Sequence, residues 1–283
     1  MNEPRNSCRV VLVTGASSGI GRAVALKLAG AGYIVWGTAR DASRVPNAEG
    51  LRGVALDLLN PDSIRNAVDE VVKGSGRIDI LINNAGSGIL GPVLAFSDEE
   101  LRGQYETLVA GPMRLIRAVR PHLPAPGGVI MNLTSIGAQF PIPFMGPYSA
   151  FKSALSLLTD AMHVECSGQG IDFIDLRPGD IHTGFNDAMA RVAAPLSEDW
   201  QAKQEGAWKI LEHELRTAPP PENVAECVLH LLHNKKSGRH VVGNLFQTRI
   251  GPLADRLLPR RWILCGLAAY YGLRGSRTKK SHS

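Results

Sequence analysis

The sequence predicts an α/β fold in which helices flank both faces of a doubly wound parallel sheet. Short runs of apolar, often β-branched residues alternate with longer amphipathic stretches along most of the 283 residues. A repeated strand–helix–strand order of this kind is typical of parallel sheets. No repeat, low-complexity tract or long linker divides the chain, and 44% hydrophobic residues suffice for one sizeable core. We therefore expect a single domain.

The apolar runs are predicted as strands, and the stretches with helical apolar periodicity are predicted as helices. Strands are expected near residues 9–13, 33–38, 53–56, 78–82, 128–133, 171–176 and 239–242. Helices are expected near residues 20–30, 61–73, 98–121, 147–168 and 222–233. In such a sheet a ligand binds at the carboxyl ends of the strands, where the strand order reverses. Functional residues should therefore follow strands.

A glycine-rich turn, Thr14-Gly15-Ala16-Ser17-Ser18-Gly19-Ile20-Gly21, comes directly after the first strand. Its three glycines permit a tight turn and let the backbone approach a ligand closely. The helix that follows offers free N–H groups and the positive end of its dipole to a pyrophosphate. Because the spacing Gly-x-x-x-Gly-x-Gly differs from the more familiar Gly-x-Gly-x-x-Gly fingerprint, a plain turn is the alternative.

The segment Gly-Pro-Tyr148-Ser-Ala-Phe-Lys152 carries a second signal, thirteen residues after Ser135. Four residues make about one helical turn, so the phenol and the ammonium project from the same helix face. A cation held there is expected to lower the pKa of Tyr148 from about 10 toward neutrality. The pair predicts proton exchange with a carbonyl or an alcohol, and an exposed helix face without function is the alternative.

Five motifs together resemble the series that is typical of the short-chain dehydrogenase/reductase family. They are Thr14-Gly15-x-x-x-Gly19-x-Gly21, Asn83-Asn84-Ala85-Gly86, Ser135, Tyr148-x-x-x-Lys152 and Arg177-Pro178-Gly179. All occur in the family's order, and the resemblance covers roughly residues 8 to 245. It implies a Rossmann-like sheet and hydride transfer between a nicotinamide cofactor and a carbonyl carbon.

The resemblance assigns the catalytic roles to three side chains. Tyr148 would protonate the substrate oxygen during reduction, Ser135 would hold that oxygen, and Lys152 would bind the nicotinamide ribose and keep the tyrosine acidic. The adjacent Thr134 is left as a strand-end residue by the thirteen-residue spacing. The residues implied to bind the cofactor are Gly15, Ser17, Gly19, Ile20, Gly21, Arg40, Asp57, Leu58, Asn84, Gly86, Tyr148, Lys152, Pro178, Gly179, Ile181 and Thr183.

The end of the second strand predicts NADP(H) as the cofactor. Ala39 stands where NAD-preferring relatives usually carry an acid that binds the ribose hydroxyls, and the next residue is Arg40. A guanidinium can pair with a 2′-phosphate in a charge-assisted contact, and no carboxylate repels that phosphate. Ser17 resembles a family serine that touches the same phosphate. The alternative is that Arg40 is a solvated loop charge.

Apolar side chains on both sides of the catalytic motif predict a hydrophobic substrate, which is lipid-like, steroid-like, retinoid-like or aromatic. They are Phe140, Ile142, Phe144 and Met145 before Tyr148, and Phe185, Met189, Val192, Trp200, Trp208, Ile210 and Leu211 after Thr183. Ordinary helix core or a subunit contact is an equally weighted alternative.

One position departs from the family pattern. The stretch Leu108-Val109-Ala110-Gly111 carries leucine where relatives commonly have asparagine, which helps to seat a water that connects the lysine to solvent. The family residue acts largely through its main-chain carbonyl, which leucine retains. We expect a slower or altered proton relay with activity retained. The alternative is a catalytically weak NADP-binding regulatory or scaffold protein.

The last residues differ in character from the rest, and we predict a catalytic domain over residues 1–248 and a basic, apolar extension over residues 249–283. The extension holds eight Lys or Arg and one acid, so it accounts for all of the net charge of +5. Leucines and aromatic residues interleave with these charges, a pattern compatible with an amphipathic helix on an anionic membrane surface. Packing on the pocket or on a partner subunit is the alternative.

Other classes of partner find little support in the sequence. The basic run is short and has no recognised nucleic-acid motif, so no nucleic-acid partner is expected. The four cysteines lie far apart and without Cys-x-x-Cys pairing, so neither a metal site nor a disulfide framework is predicted. The N-terminus lacks the apolar core of a secretory signal, and we expect a cytoplasmic protein. The family resemblance implies a homodimer or homotetramer through the helices that contain Leu108 and Tyr148.

Overall fold

The computed structural model describes residues 9–184 and 189–273. Within them, seven parallel strands form one sheet in the order β3-β2-β1-β4-β6-β7-β9, and two short strands pair separately. The strands are β1 (Val10–Val13), β2 (Ile34–Ala39), β3 (Leu51–Ala55), β4 (Ile80–Asn83), β5 (Ile89–Leu90), β6 (Gly128–Leu133), β7 (Ile171–Pro178), β8 (Ala190–Arg191) and β9 (Gly238–Val242). All seven predicted strands are present, and the predicted fold class is confirmed.

Helices connect the strands of the large sheet. They are α1 (Gly19–Gly30), α2 (Pro61–Ser75), α3 (Asp98–Tyr105), α4 (Gly111–Val119), α5 (Gly146–Glu165), α6 (Glu198–Thr217), α7 (Glu222–His233), α8 (Gly251–Leu257) and α9 (Arg260–Tyr270). Short 3₁₀ turns cover Ala42–Arg44, Val93–Ala95, Arg120–His122 and Ile136–Ala138. None of these helices is long and apolar enough to cross a membrane.

Several helix ends follow directly from local side chains. Asn60 caps α2 by accepting hydrogen bonds from the backbone N–H groups of Asp62 and Ser63, and Gly76 ends the helix with φ of 76°. Ser97 and Glu100 form a reciprocal capping box at the start of α3. These signals explain why the sequence predicts both helices at the correct positions.

Several helical features differ from the prediction. The expected helix over residues 98–121 is interrupted by a π-helical turn, Glu106–Ala110, that joins α3 to α4. The long helix α6 is absent from the predicted set, because its buried residues are few and charged residues surround its tryptophans. A second π-helical turn, Phe246–Ile250, runs directly into α8. The predicted domain boundary at residue 248, which lies in this turn, stays a prediction.

Alternate residues of β1 pack on opposite faces of the sheet. Val11 and Val13 belong to the apolar core that includes α1 and α7, whereas Val10 and Leu12 belong to the core that includes α2 and α4. Each core contains many residues that are fully shielded from solvent. Burial on both faces explains why the strands read as continuous apolar runs.

The strand order reverses between β1 and β4, which are neighbours in the sheet. Thr14 lies just past the end of β1 and Asn84 just past the end of β4. The Thr14 hydroxyl accepts a hydrogen bond from the backbone N–H of Asn84 at 2.9 Å, and the Asn84 amide donates to the Thr14 carbonyl at 2.9 Å. This bridge fixes the crevice in which a doubly wound sheet binds its ligand.

Candidate active site

A cavity of about 670 Å³ opens at the carboxyl ends of the strands, above the point where the strand order reverses. The predicted site residues that line it are Gly15, Ser17, Gly19, Ile20, Arg40, Asp57, Leu58, Asn84, Gly86, Ser135, Tyr148, Lys152, Pro178, Gly179, Ile181 and Thr183. Gly21, the remaining predicted residue, is buried at the start of α1 beneath the glycine turn. The fold therefore brings the predicted residues together around one cavity.

The glycine turn has the geometry that a nucleotide pyrophosphate requires. Gly15 and Gly19 adopt positive φ of 70° and 52°, a backbone region that other residues rarely occupy. A Cβ on Gly21 would lie 2.2 Å from the Gly15 carbonyl oxygen. The turn therefore passes so close to the start of α1 that no side chain fits at residue 21. The N–H groups at the N-terminus of α1 thus face the cavity. A dinucleotide cofactor fits this cradle.

Two arginines line the cavity where β2 ends. Arg40 is exposed directly after the buried Ala39, and Arg44 follows one short turn later. Asp41, the nearest acid in sequence, accepts hydrogen bonds from the Ser43 backbone N–H and hydroxyl, which lower the pKa of its carboxyl. The sequence prediction omits Arg44, although the Asp-x-Ser turn before it is a recognisable signal for a chain reversal.

The three predicted catalytic side chains lie together at the other side of the cavity. Tyr148 and Lys152 stand on the first turns of α5, and Ser135 follows β6 and hydrogen-bonds with Tyr148. The Ser135 hydroxyl also accepts a hydrogen bond from the Gly137 N–H at 3.0 Å. Lys152 Nζ lies 5.8 Å from the ring centroid of Tyr148 and donates a hydrogen bond to the Leu133 carbonyl at 2.7 Å.

The expected lowering of the Tyr148 pKa is wrong for this structure. Burial raises the pKa of Tyr148 to about 12, and the hydrogen bond with Ser135 only partly opposes that shift. Burial also lowers the pKa of Lys152 to about 8, against the field of the Asp175 carboxylate. The spacing of the two residues predicts their shared helix face correctly, but it does not reveal that both groups are withdrawn from water.

A buried cluster of polar groups lies beneath the catalytic residues and centres on Asp175, which is 0% exposed. Its carboxylate accepts hydrogen bonds from Thr134 Oγ1 at 2.5 Å, Ser156 Oγ at 2.6 Å, Arg177 Nε at 3.0 Å and Arg239 Nε at 3.3 Å. Thr134 is thus the strand-end residue that the sequence predicts. The sequence prediction assigns no role to Asp175, although an acid inside an apolar parallel strand signals a buried partner.

Leu108 lies within the π-helical turn and is 1% exposed. A Cβ on Gly86 would lie 3.1 Å from Leu108 Cδ2 and 3.7 Å from Lys152 Nζ, so the leucine side chain reaches the wall of the site beside the lysine. An apolar group therefore occupies this position near the lysine. Its expected effect on proton relay stays a prediction.

Apolar side chains form the wall of the cavity next to Tyr148. Ile142, Met145 and Leu211 line the cavity as predicted, and Leu215 adds a further apolar residue from the end of α6. Asp180 also lines the cavity, where burial raises the pKa of its carboxyl. The sequence prediction omits Leu215 and Asp180, because α6 and the loop after β7 approach the cavity only in the folded chain.

Other predicted pocket residues serve in packing instead. Phe144 is buried, and its ring meets Trp200 edge-on at 6.2 Å. Val192 is buried, and its side chain would be within 2.3 Å of a Cβ on Gly91. Phe140 is not among the cavity residues and packs against Gly251 of α8, and Phe185 falls outside the residues that the structure describes. Some of these apolar residues therefore line the cavity, as the substrate prediction requires, and others pack in the core, as the alternative requires.

Comparison with known proteins identifies the family of the chain. Residues 9–192 match the family model described as short chain dehydrogenase. The chain is 33% identical over 275 residues to a 3-ketodihydrosphingosine reductase from Bacteroides thetaiotaomicron, covering 94% of this chain and 99% of that protein. It is 32% identical over 179 residues to an NADPH-dependent 1-acyldihydroxyacetone phosphate reductase from Schizosaccharomyces pombe, covering 62% of this chain and 60% of that protein.

Solved structures give the same result. A short-chain dehydrogenase from Streptomyces avermitilis superposes with a TM-score of 0.76 at 28% identity, covering 94% of this chain and 98% of that one. The family model spans more than half of the sequence, and the similarity to the Bacteroides reductase extends over nearly all of it. The chain belongs to the short-chain dehydrogenase/reductase family of oxidoreductases.

Proposed function

We propose that this protein is an NADP(H)-dependent oxidoreductase that interconverts a ketone and a secondary alcohol on an apolar, lipid-like substrate. One observation carries the proposal: a single cavity is lined by the glycine turn and Arg40 on one side and by Ser135, Tyr148 and Lys152 on the other. A nicotinamide cofactor bound there supplies or accepts the hydride at the reacting carbon.

The protein's own groups handle the proton and the oxygen. Tyr148, with a pKa of about 12, keeps its proton at neutral pH and is the acid that a carbonyl oxygen needs during reduction. Ser135 hydrogen-bonds with the tyrosine and would hold the same substrate oxygen. An ammonium has three donors, and the Lys152 bond to Leu133 engages one of them. The others would bind the nicotinamide ribose.

Charge at the end of β2 supports NADP(H) over NAD(H). Arg40 and Arg44 both line the cavity, and alanine precedes Arg40 where a carboxylate would repel a 2′-phosphate. The relative from Schizosaccharomyces pombe is named as NADPH-dependent. The two arginines would together neutralise the charge of the phosphate.

The substrate proposal rests on the apolar wall beside Tyr148 and on the relatives. Ile142, Met145, Leu211 and Leu215 line that part of the cavity, and apolar walls select apolar ligands. The Bacteroides relative is named as a reductase of 3-ketodihydrosphingosine. A long-chain keto lipid is therefore the substrate class that we propose.

We also propose that the enzyme is a cytoplasmic homodimer or homotetramer that forms through the helical segments that contain Leu108 and Tyr148. Leu157 and Val164 on α5 are 69% and 72% exposed in the single chain. Large exposed apolar side chains on a helix favour a covered position in an assembly. Sedimentation velocity would measure the assembly state.

The reductase proposal predicts NADPH oxidation with a keto lipid. The purified protein should consume NADPH, followed at 340 nm, when 3-ketodihydrosphingosine or another long-chain ketone is added in detergent. Tyr148→Phe should lower kcat by about 10²–10⁴-fold, because it removes the proton donor. Tyr105→Phe changes a partly exposed tyrosine that stacks on Phe151, and it should leave the rate unchanged.

Tight NADPH binding without turnover of any ketone in the panel would contradict this proposal. That result would favour the alternative of a regulatory protein that binds the nucleotide. Equal rates for Tyr148→Phe and the unaltered protein would contradict the assigned proton donor.

Cofactor choice is tested by Arg40→Ala. Loss of a charge-assisted hydrogen bond costs about 1.5–3 kcal/mol, so the Kd for NADPH should rise about 10–100-fold while the Kd for NADH stays constant. Fluorescence titration of both nucleotides measures this, with Arg65→Ala, a surface arginine paired with Asp62, as the control. Tighter binding of NADH than of NADPH by the unaltered protein would overturn the prediction.

The pKa of Lys152 predicts a pH limit for activity. The free protein should lose the lysine charge as pH rises through about 8, so kcat/KM for NADPH should fall above that pH. Lys152→Arg keeps its charge to far higher pH, and its lower activity should show no such decline. A kcat/KM that stays constant to pH 10 in the unaltered protein would show that this charge is not required.

A further inference from the structure

Exposed apolar side chains concentrate in the last helical segments of the described chain. Of the sixteen large hydrophobic residues that are exposed in the described residues, nine lie between residues 245 and 270. They are Leu245, Phe246, Ile250, Leu253, Leu257, Leu258, Trp262, Leu264 and Tyr270, and we call them the C-terminal face. So many large exposed apolar side chains in one segment of the chain favour an interaction surface.

Positive charge accompanies the C-terminal face. Arg249, Arg256, Arg260 and Arg261 are all exposed in the same segments. The one acid between residues 245 and 273, Asp255, is hydrogen-bonded to Gln139 at 2.9 Å and paired with Arg260 at 3.1 Å. Residues 274–283 add four more basic residues in the sequence. The surface is therefore both apolar and cationic.

The inner side of the same segments is attached to the catalytic domain. In α9 and just after it, Ile263, Leu267 and Tyr271 repeat every four residues and are half-buried. Tyr271 packs in the apolar cluster that contains Leu211, one of the cavity residues. At the other end, Gly251 of α8 packs against Phe140. The C-terminal face thus points outward from helices that are held beside the apolar end of the cavity.

We propose that the C-terminal face docks on the surface of a bilayer that contains anionic phospholipid. Aromatic and leucine side chains would enter the interface between headgroups and acyl chains, and the arginines would pair with lipid phosphates. Trp262 carries the combination of apolar ring and polar edge that is enriched at this depth, whereas the Tyr270 hydroxyl hydrogen-bonds with Glu214 of α6. The contact does not depend on the proposed catalytic activity.

The positive charge of the C-terminal face favours a bilayer over a second copy of the chain as its partner. A twofold symmetric contact through this face would bring the same arginines of two copies together, where like charges repel. An anionic lipid surface attracts those charges instead. The basic residues that follow the face in sequence would strengthen the attraction to lipid and the repulsion between copies.

Vesicle flotation with the full chain tests the proposal. The protein should float with vesicles of phosphatidylcholine and phosphatidylglycerol at 3:1, bind pure phosphatidylcholine weakly, and dissociate as salt is raised. The double variant Leu257→Asp/Trp262→Asp should bind at least about tenfold more weakly, because two exposed anchors are lost and two charges are added. Both residues are exposed, so the fold should be retained.

A matched control distinguishes the loss of the C-terminal face from a general effect of added negative charge. Val93→Asp/Leu94→Asp also places two acids at exposed apolar positions, and its binding should stay within about twofold of the unaltered protein. A second test variant, Arg256→Glu/Arg261→Glu, changes two exposed arginines. It should weaken binding to anionic vesicles and should leave the thermal unfolding midpoint unchanged.

Three results would overturn the proposal. The first is failure of the unaltered protein to float with anionic vesicles. The second is equal flotation of the Leu257→Asp/Trp262→Asp variant, which would assign the binding to residues 274–283 or to another surface. The third is dissociation of an assembly by that variant in sedimentation velocity without any vesicle binding, which would identify a second copy as the occupant.

Discussion

The buried carboxylate of Asp175 is the interaction on which the arrangement of the proposed catalytic groups depends. Thr134 directly precedes Ser135, Ser156 lies one turn beyond Lys152, and Arg177 lies near the end of β7, before a loop that lines the cavity. One side chain in β7 therefore joins the loop after β6, the helix α5 and, through Arg239, the strand β9. A buried charge is stable only when it is paired and hydrogen-bonded, so each of these donors must keep its position.

The same carboxylate sets the electrostatics of the site. Burial would remove the charge from Lys152, and the field of Asp175 opposes that loss, leaving a pKa of about 8. The lysine is therefore still mostly protonated at neutral pH, while Tyr148 keeps its proton. Both groups are in the forms that the proposed carbonyl reduction needs. Burial withdraws Lys152 from water and favours its neutral form, and the negative charge of Asp175 partly offsets that effect.

Much of this arrangement could be predicted from the sequence, because local signals determine it. The β-branched runs, the caps of α2 and α3 and the spacing of Tyr148 and Lys152 identify the strands, two helix starts and the shared face. What could not be predicted depends on contacts between distant segments. The π-helical turn around Leu108 leaves no periodic signature, and the approach of Leu215 to the cavity requires the packing of α6. The Tyr148 pKa was predicted in the wrong direction, because spacing carries no information on burial.

The most direct test of this account is the free energy of unfolding of Asp175→Asn, measured by urea denaturation beside Asp160→Asn. Asparagine preserves the shape but not the charge, and the Arg177 guanidinium stays buried without its counterion. We expect a loss of about 3–5 kcal/mol. Asp160 pairs with Arg239 at a half-exposed position, and its substitution should cost no more than about 1 kcal/mol. Equal stabilities of the two variants would contradict the central role of Asp175.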